Sequence, residues 1–233
     1  MWYSKQVHTP FTNHIDIFCT LQTMFRSEKI AYKSVTVYLL YYTDFDVEDH
    51  LHNLLEPEQQ QLDLFCHPNR RREYVATRVL RTMVFGNEPI LYNEVGAPYI
   101  MSEGFVSISH AQNVVGLAFS ETHPVGLDLE PIRPKVLRVC HKFLSEVEKE
   151  KLDDSNMETM IKVWSGKEAL YKLAGRKKII FAKELKLLPI SSDGNLWSGV
   201  IDNYTHKKHV TLSITRKNEF VISINIDAPI DEY

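Results

Sequence analysis

Residues 164–175 read WSGKEALYKLAG and place an acidic residue, Glu168, four positions before a basic one, Lys172. On an α-helix, side chains at positions i and i+4 lie on the same face. Two interpretations are open. The pair is an ordinary ion pair on a helix surface, with Ser165 and Glu168 forming an N-terminal capping box, or the two side chains belong to a site that uses an acid and a base together.

The residues upstream of this stretch favour the second interpretation. Apolar side chains recur at helical spacing and form a stripe of Met157, Met160, Ile161, Trp164 and Tyr171. If the helix begins near Met157, Glu168 lies in the middle of that stripe and Ser165 is an interior residue. A carboxylate on a core-facing stripe is costly unless it is paired or binds a metal ion. The opposite side of the helix is also apolar, so periodicity alone does not identify the functional face.

A second acidic motif lies at residues 125–130, which read VGLDLE. Strict alternation predicts a β-strand that places Gly126, Asp128 and Glu130 on one face. Carboxylates two residues apart on a strand have Cα atoms roughly 6.5–7 Å apart, so their side chains can converge on one cation. A half-buried strand with a solvated acidic face is the alternative. Together with Glu168, these carboxylates form a set of oxygen ligands that suits Mg²⁺, whereas Zn²⁺ prefers Cys and His.

The order and spacing of the two motifs resemble those of the 4′-phosphopantetheinyl transferases, in particular the single-chain, pseudo-dimeric type that activates surfactin synthetase. That family has the pattern G-x-D-x-E, followed by W-x-x-K-E-x-x-x-K. The matching residues in this sequence are Gly126, Asp128 and Glu130, then Trp164, Lys167, Glu168 and Lys172. The resemblance extends from about Val35 to about Leu188.

The resemblance implies an α+β fold of two similar α/β lobes related by a pseudo-two-fold axis, with coenzyme A and a metal ion at the seam. We place the N-terminal lobe at residues 34–124 and the C-terminal lobe, which carries both motifs, at residues 125–233. Residues 1–33 show little periodicity and lie outside the resemblance. We therefore treat them as an N-terminal extension of unknown role.

The resemblance also implies a role for each matching side chain. Asp128, Glu130 and Glu168 would bind Mg²⁺. Lys172 would contact coenzyme A and stabilise charge on the transferred phosphate, and Glu168 is the candidate base for the acceptor serine. Glu168 and Lys172 are therefore the expected catalytic residues.

Arginines on the first long helix, predicted over residues 67–85, are candidates for binding phosphate. Arg71, Arg78 and Arg81 recur at spacings of seven and three and share one face. The guanidinium group matches phosphate geometry, whereas a solvated helix face is the alternative. By resemblance, Arg78 binds coenzyme A, and Arg71 and Arg72 are further candidates.

Residues 106–119 predict a β-hairpin whose first strand contains Ser109 and His110. A histidine near a strand end is more often structural than functional. By resemblance, however, Ser109 and His110 match a Ser-His pair in which both side chains contact phosphates of coenzyme A. Ala97 departs from the family, which often has a lysine that helps to bind phosphate at this position.

Composition narrows the class of protein. The chain has 233 residues, a formal net charge of −3 and 44% hydrophobic residues, which is ordinary for a globular protein and argues against nucleic acid as the main partner. The three cysteines, Cys19, Cys66 and Cys140, form no zinc or redox motif. We therefore expect reduced thiols and a cytoplasmic location. We expect neither a signal peptide nor a membrane-spanning segment.

The resemblance implies a Mg²⁺-dependent enzyme that transfers 4′-phosphopantetheine from coenzyme A to a serine of an apo acyl or peptidyl carrier protein. Adenosine 3′,5′-bisphosphate would be released. We expect a monomer whose partners are coenzyme A and the carrier, without nucleic acid or membrane. Two alternatives are a metal-dependent phosphohydrolase acting on another phosphate ester and a non-catalytic relative that binds carrier proteins.

Overall fold

The computed structural model describes residues 15–16, 24–102, 104–175, 178–203 and 206–232, and these form an α+β protein. The strands are β1 Ile15–Asp16, β2 Phe25–Tyr32, β3 Val35–Tyr42, β4 Leu91–Tyr92, β5 Pro98–Tyr99, β6 Phe105–Ala111, β7 Val114–Ser120, β8 Leu127–Pro131, β9 Leu185–Pro189, β10 Leu196–Asn203, β11 His206–Lys217, β12 Phe220–Asn225 and β13 Ile230–Asp231. The α-helices are α1 Glu56–Asp63, α2 Pro68–Phe85, α3 Lys135–Val139, α4 Glu146–Lys151, α5 Met157–Leu173 and α6 Phe181–Glu184. Short 3-10 helices lie at Glu48–Asn53 and Cys140–Lys142.

The first main sheet has the strand order β1-β2-β3-β7-β6, with antiparallel neighbours throughout. Its strands are rich in β-branched and aromatic residues, which favour this conformation. Helix α2 covers one face of the sheet, where Val75 and Leu80 pack with Leu40 and Leu117. Strands β6 and β7 form the predicted hairpin, which is therefore confirmed.

The second main sheet has the strand order β8-β12-β11-β10-β9, and β13 pairs with β11 beside it. Helix α5 covers one face, where Met160 and Leu170 pack with Ile214. The side chain of Asn156 caps this helix by accepting the backbone N–H of Thr159 at 3.0 Å. The prediction that the helix begins near residue 157 is confirmed, and the alternative of a capping box at residue 165 is wrong because that residue lies in the helix interior.

The remaining faces of the two sheets pack against each other, with β3 and β7 on one side and β8 and β12 on the other. The edge strands β6 and β8 also lie side by side. The backbone N–H groups of Leu127 and Leu129 donate to the hydroxyl oxygens of Ser107 and Ser109, each at 3.0 Å. Both serines are buried. These two hydroxyl groups therefore connect the sheets at the point where their edges meet.

Strand β2 lies within the segment that the sequence assigns to an N-terminal extension. It pairs with β3 along eight residue positions, and Ile30 is buried between the two sheets. Glu28 accepts a hydrogen bond from Lys217 of the second sheet at 2.6 Å. The first sheet therefore begins before residue 34. Only Glu28 and Ile30 of β2 are buried, and one of them is charged, which explains why the sequence shows no clear alternation.

Three further expectations concern the cysteines, membrane-spanning helices and the relation between the two lobes. Cys19 lies outside the described residues, whereas Cys66 and Cys140 are free thiols, as expected. No helix within the described ranges is both long and apolar enough to cross a membrane. The pseudo-two-fold relation between the lobes stays a prediction.

The burial of Ile30 yields a test of whether β2 is part of the folded core. Ile30→Ala removes buried methyl groups between the sheets and should lower the free energy of unfolding by about 2–5 kcal/mol. Lys29→Ala is the matched control, because that side chain is exposed on the same strand and its loss should change stability by about 0.5 kcal/mol or less. Urea denaturation measures both, and equal stability of the two variants would show that β2 is dispensable.

Candidate active site

Two acidic motifs meet because helix α5 lies directly on strand β8. A Cβ atom at Gly126 would lie only 2.2 Å from the backbone oxygen of Ala169 on α5, so a residue with a side chain does not fit there. The close backbone approach brings Glu168 and Lys172 of the helix to the face of β8 that carries Asp128. The first half of the family pattern therefore requires glycine for helix packing.

Asp128 and Lys172 form the centre of the site. The Lys172 Nζ donates to Asp128 Oδ1 at 3.0 Å and to the backbone oxygen of Leu127 at 2.6 Å. Ser109 also donates to Asp128 Oδ1, at 3.2 Å. Asp128 is only 6% exposed, and its Oδ2 is buried without a hydrogen-bond partner in the described part of the chain. A buried carboxylate oxygen without a partner is unfavourable, so this atom is suited to binding a cation.

Glu130 lies further along the same strand and is half-buried. Its pKa is raised to about 7, chiefly by burial and then by the negative charges of Asp128 and Glu168, while a hydrogen bond with Trp164 and the charge of Arg133 oppose the increase. The effects of Asp128 and Glu168 on the Glu130 pKa show that the three carboxylates are electrostatic neighbours. A bound cation would remove their mutual repulsion.

The three carboxylates fit Mg²⁺ by their chemistry. They supply only oxygen ligands, which Mg²⁺ prefers, and Asp128 Oδ2 is unpartnered among the described residues. Over that same part of the chain, however, no three Asp, Glu, His or Cys side chains lie close enough together to hold a metal ion as they stand. The charges of Asp128 and Glu168 act on Glu130, but binding of a metal ion by these three residues stays a prediction.

A cleft of about 740 Å³ opens between α1, α2 and the β4-β5 hairpin. Its charged and aromatic lining includes Arg70, Glu73, Tyr74, Arg78, Tyr92 and His110. His110 connects the cleft with the carboxylates, since the charges of Lys172 and Asp128 both influence its pKa. The cleft is therefore the natural place for a phosphorylated ligand that extends to the acidic site.

Arg78 supplies a positive charge inside this cleft. Its guanidinium group lies 3.7 Å from the ring centre of Tyr74 and 5.9 Å from that of Tyr92. Its Nε donates to Glu58 at 3.3 Å, and the fully buried Arg81 donates to the same carboxylate at 2.8 Å. Because two arginines share one glutamate, positive charge is left over in the cleft. Arg78 is itself only 3% exposed and paired with Glu58, so its contact with coenzyme A stays a prediction.

The other arginines near the start of α2 differ in whether they line the cleft. Arg71 donates to the backbone oxygen of Leu62 and does not line the 740 Å³ cleft, so its predicted contact with coenzyme A lacks geometric support. Arg72 pairs with Asp44 at 3.2 Å and lines a second cavity of about 630 Å³ that shares His110 with the first. Arg70 does line the cleft, and sequence reasoning missed it.

The signal for Arg70 was present in the spacing, because it lies eight residues before Arg78 and hence on the same helix face. It pairs with Glu73 at 3.4 Å, and Glu73 also contacts His110 at 3.3 Å. Burial lowers the pKa of His110, while the charge of Glu73 opposes this effect. His110 therefore lines the cleft beside Glu73, and its contact with a phosphate of coenzyme A stays a prediction.

Lys167 of the second motif is buried in an ion pair away from the acidic site. It is fully buried and donates to Glu148 at 2.7 Å and to the backbone oxygens of Phe143 and Phe181. Glu148 also accepts the backbone N–H groups of Ser145 and Leu187, so every part of the pair is satisfied. Burial lowers the pKa of Lys167, and Glu148 opposes the change. This lysine holds segments together and does not face the site.

An apolar groove of about 520 Å³ lies beside Glu168 on the other side of the site. Its walls include Val139, Phe143, Trp164, Tyr171, Ile179 and Phe181. The buried Lys167 binds the backbone of Phe143 and Phe181 and thereby fixes two of these walls. The site thus lies between a charged cleft and an apolar groove.

Comparison with known proteins finds similarity to one family. Residues 124–224 match the model of the 4′-phosphopantetheinyl transferase superfamily. The chain is 29% identical over 143 residues to 4′-phosphopantetheinyl transferase gsp of Aneurinibacillus migulanus, a match that covers 58% of this chain and 56% of that protein. It is 30% identical over 115 residues to 4′-phosphopantetheinyl transferase AcpT of Escherichia coli O157:H7, covering 46% of this chain and 59% of the relative. The chain thus matches little more than half the length of each relative.

The buried ion pair of Lys167 makes a stability prediction. Lys167→Met leaves Glu148 buried without its cation, and we expect a loss of about 3–5 kcal/mol in the free energy of unfolding. Lys149→Met removes an exposed ion pair with Glu146 and should cost about 1 kcal/mol or less. Chemical denaturation compares the two variants, and a similar small loss in both would contradict a structural role for Lys167.

The raised pKa of Glu130 predicts how stability changes with pH. Its folded pKa of about 7 exceeds the ordinary 4.5, so the unfolded state gives up the proton first as pH rises. Glu130 therefore destabilises the fold increasingly between these values and fully above pH 7. Without metal, Glu130→Gln should raise the melting temperature at pH 8 and change it little near pH 4.5. Glu146→Gln, at an exposed position, should change it little at either pH.

Added Mg²⁺ should favour the wild type over the Glu130→Gln variant. The cation should raise the melting temperature of the wild type at pH 8 more than that of Glu130→Gln, because a neutral amide is a weaker ligand than a carboxylate. An unchanged pH dependence in Glu130→Gln would show that this carboxylate is solvated like an ordinary surface residue.

Proposed function

We propose that this chain is a member of the 4′-phosphopantetheinyl transferase superfamily and transfers 4′-phosphopantetheine from coenzyme A to a serine of an apo acyl or peptidyl carrier protein. The observation that carries the proposal is the meeting of Asp128, Glu130, Glu168 and Lys172 between the charged cleft and the apolar groove. In the reaction, the serine oxygen forms a bond to the phosphorus that bears the pantetheine group. The bond from this phosphorus to the bridging oxygen of the pyrophosphate breaks, and adenosine 3′,5′-bisphosphate leaves.

The cleft would hold the nucleotide part of coenzyme A. Arg78 and His110 lie in its lining, and Arg70 adds a cation near its rim. Arginine binds phosphate oxygens through two parallel hydrogen bonds, which positions the ligand as well as attracting it. These groups supply positive charge in a family member that has Ala97 in place of the usual lysine.

The acidic residues would bind Mg²⁺ through Asp128, Glu130 and Glu168, and the ion would neutralise charge on the pyrophosphate. Lys172 lies against Asp128 and can stabilise negative charge on the transferred phosphate. Glu168 would accept the proton of the serine hydroxyl. Most of the rate gain in phosphoryl transfer comes from such positioning and charge stabilisation.

The apolar groove favours a transferase over a phosphohydrolase. A hydrolase uses water as acceptor and needs no apolar surface beside its base. Here Trp164 and Phe181 line a groove that also reaches Glu168, which suits a pantetheine arm or the surface of an acceptor protein. Under this proposal the partners are coenzyme A and a carrier protein, and a monomeric, cytoplasmic protein stays a prediction.

Incubation with coenzyme A, Mg²⁺ and a panel of apo carriers tests the proposal by mass spectrometry. We expect one carrier serine to gain one phosphopantetheine group. Asp128→Asn should lower transfer about 100-fold or more, because it removes charge from the metal site. Asp202→Asn is the control, since that carboxylate forms an exposed pair with Lys186.

Three outcomes would contradict the proposal. Full transfer in excess EDTA, or by Asp128→Asn, would exclude the metal site. Breakdown of coenzyme A at the same rate without any carrier would indicate a phosphohydrolase. Binding of both substrates without a mass gain on any carrier would indicate a non-catalytic relative.

A further inference from the structure

The single proton of the Ser109 hydroxyl group is already used inside the protein. Its oxygen accepts the backbone N–H of Leu129 at 3.0 Å, and its proton goes to Asp128 Oδ1 at 3.2 Å. A serine hydroxyl has a single proton to donate. A phosphate oxygen can only accept, so Ser109 would have to release Asp128 in order to bind phosphate. The side chain is also only 6% exposed. This geometry disagrees with the direct contact to coenzyme A that the resemblance implies.

The two hydrogen bonds at Asp128 act on the same oxygen. Ser109 approaches Oδ1 from β6, and Lys172 approaches it from α5. The second oxygen, Oδ2, is left buried and without a partner in the part of the chain that is described. Rotating the carboxylate would break both hydrogen bonds at Oδ1. The orientation of Oδ2 is therefore set by two donors, Ser109 from a strand of the first sheet and Lys172 from the helix that covers the second.

We propose that Ser109 is a positioning residue for metal binding, which fixes the Asp128 carboxylate so that Oδ2 serves as the ligand. This inference rests on the proposed metal site, and it changes the role of Ser109 from a coenzyme A contact to a support for a metal ligand. The contact between β6 and β8 would then support metal binding, because Ser109 of the first sheet orients Asp128 of the second.

The chain contains a matched control for this role. Ser107 lies two residues earlier on β6, is equally buried and accepts the backbone N–H of Leu127 at 3.0 Å. Among the hydrogen bonds of the described residues, only Ser109 of this pair reaches a carboxylate. Ser107→Ala and Ser109→Ala therefore remove the same kind of contact between the sheets, but only Ser109→Ala also releases Asp128.

The experiment measures Mn²⁺ binding to the metal-free protein by titration calorimetry, without coenzyme A or carrier. Supporting groups behind metal ligands typically contribute about 10–100-fold in affinity, and we expect Ser109→Ala to weaken Mn²⁺ binding by that factor. Ser107→Ala should bind Mn²⁺ nearly as the wild type does. Both variants should show similar falls in melting temperature. Ser109→Thr, which keeps the hydroxyl group, should restore most of the Mn²⁺ affinity.

Binding of coenzyme A in EDTA separates the two roles of Ser109. We expect Ser109→Ala to bind coenzyme A as tightly as Ser107→Ala does. Weaker coenzyme A binding with unchanged Mn²⁺ affinity would overturn the proposal and show a direct contact. Equal loss of Mn²⁺ affinity in both alanine variants would overturn it as well, because the effect would then come from the seam alone.

Failure of the inference is distinct from failure of the proposed function. A wild-type protein that binds Mn²⁺ but modifies no carrier would contradict the proposed transfer and leave the role of Ser109 to be decided by the affinities. A wild-type protein that binds no Mn²⁺ would overturn the positioning role directly, since Oδ2 would then not be a metal ligand.

Discussion

The backbone contact between α5 and β8 is the constraint on which the site depends. Gly126 has no room for a Cβ atom because the Ala169 carbonyl of the helix occupies that space. At this separation Lys172 reaches the backbone oxygen of Leu127 as well as Asp128. The two halves of the motif, separated by about forty residues in the sequence, therefore describe one helix-strand contact and the charged groups that surround it.

Buried charged groups in this protein are of two kinds, which differ in whether all their polar atoms have hydrogen-bond partners. Glu148 and Lys167 are fully buried, and all their polar atoms are used by backbone groups or by each other. Such a pair holds α4, α5 and β9 in one arrangement. Asp128 is nearly as buried, yet one of its oxygens lacks a partner within the described chain. A buried carboxylate oxygen without a hydrogen-bond partner is a candidate ligand for a cation.

The sequence predicts those features that local periodicity controls. The start of α5, the β6-β7 hairpin and the two acidic motifs follow from spacing alone. Spacing does not distinguish Lys167 from Lys172, because the role of each depends on a partner far away in the chain, Glu148 for one and Asp128 for the other. Strand β2 escapes detection for a similar reason, since Glu28 is buried by pairing with Lys217 from the second sheet.

The charged groups around the cleft share partners with one another. Glu58 is shared by Arg78 and the fully buried Arg81, and Glu73 is shared by Arg70 and His110. Two arginines and two glutamates line the cleft, and the buried Arg81 behind it brings the number of arginines that pair with these glutamates to three. Because Arg81 satisfies Glu58 from behind, the excess falls on side chains that line the cavity. Because both cleft-lining arginines lie on α2, an anion in this cleft would be attracted toward the helix side.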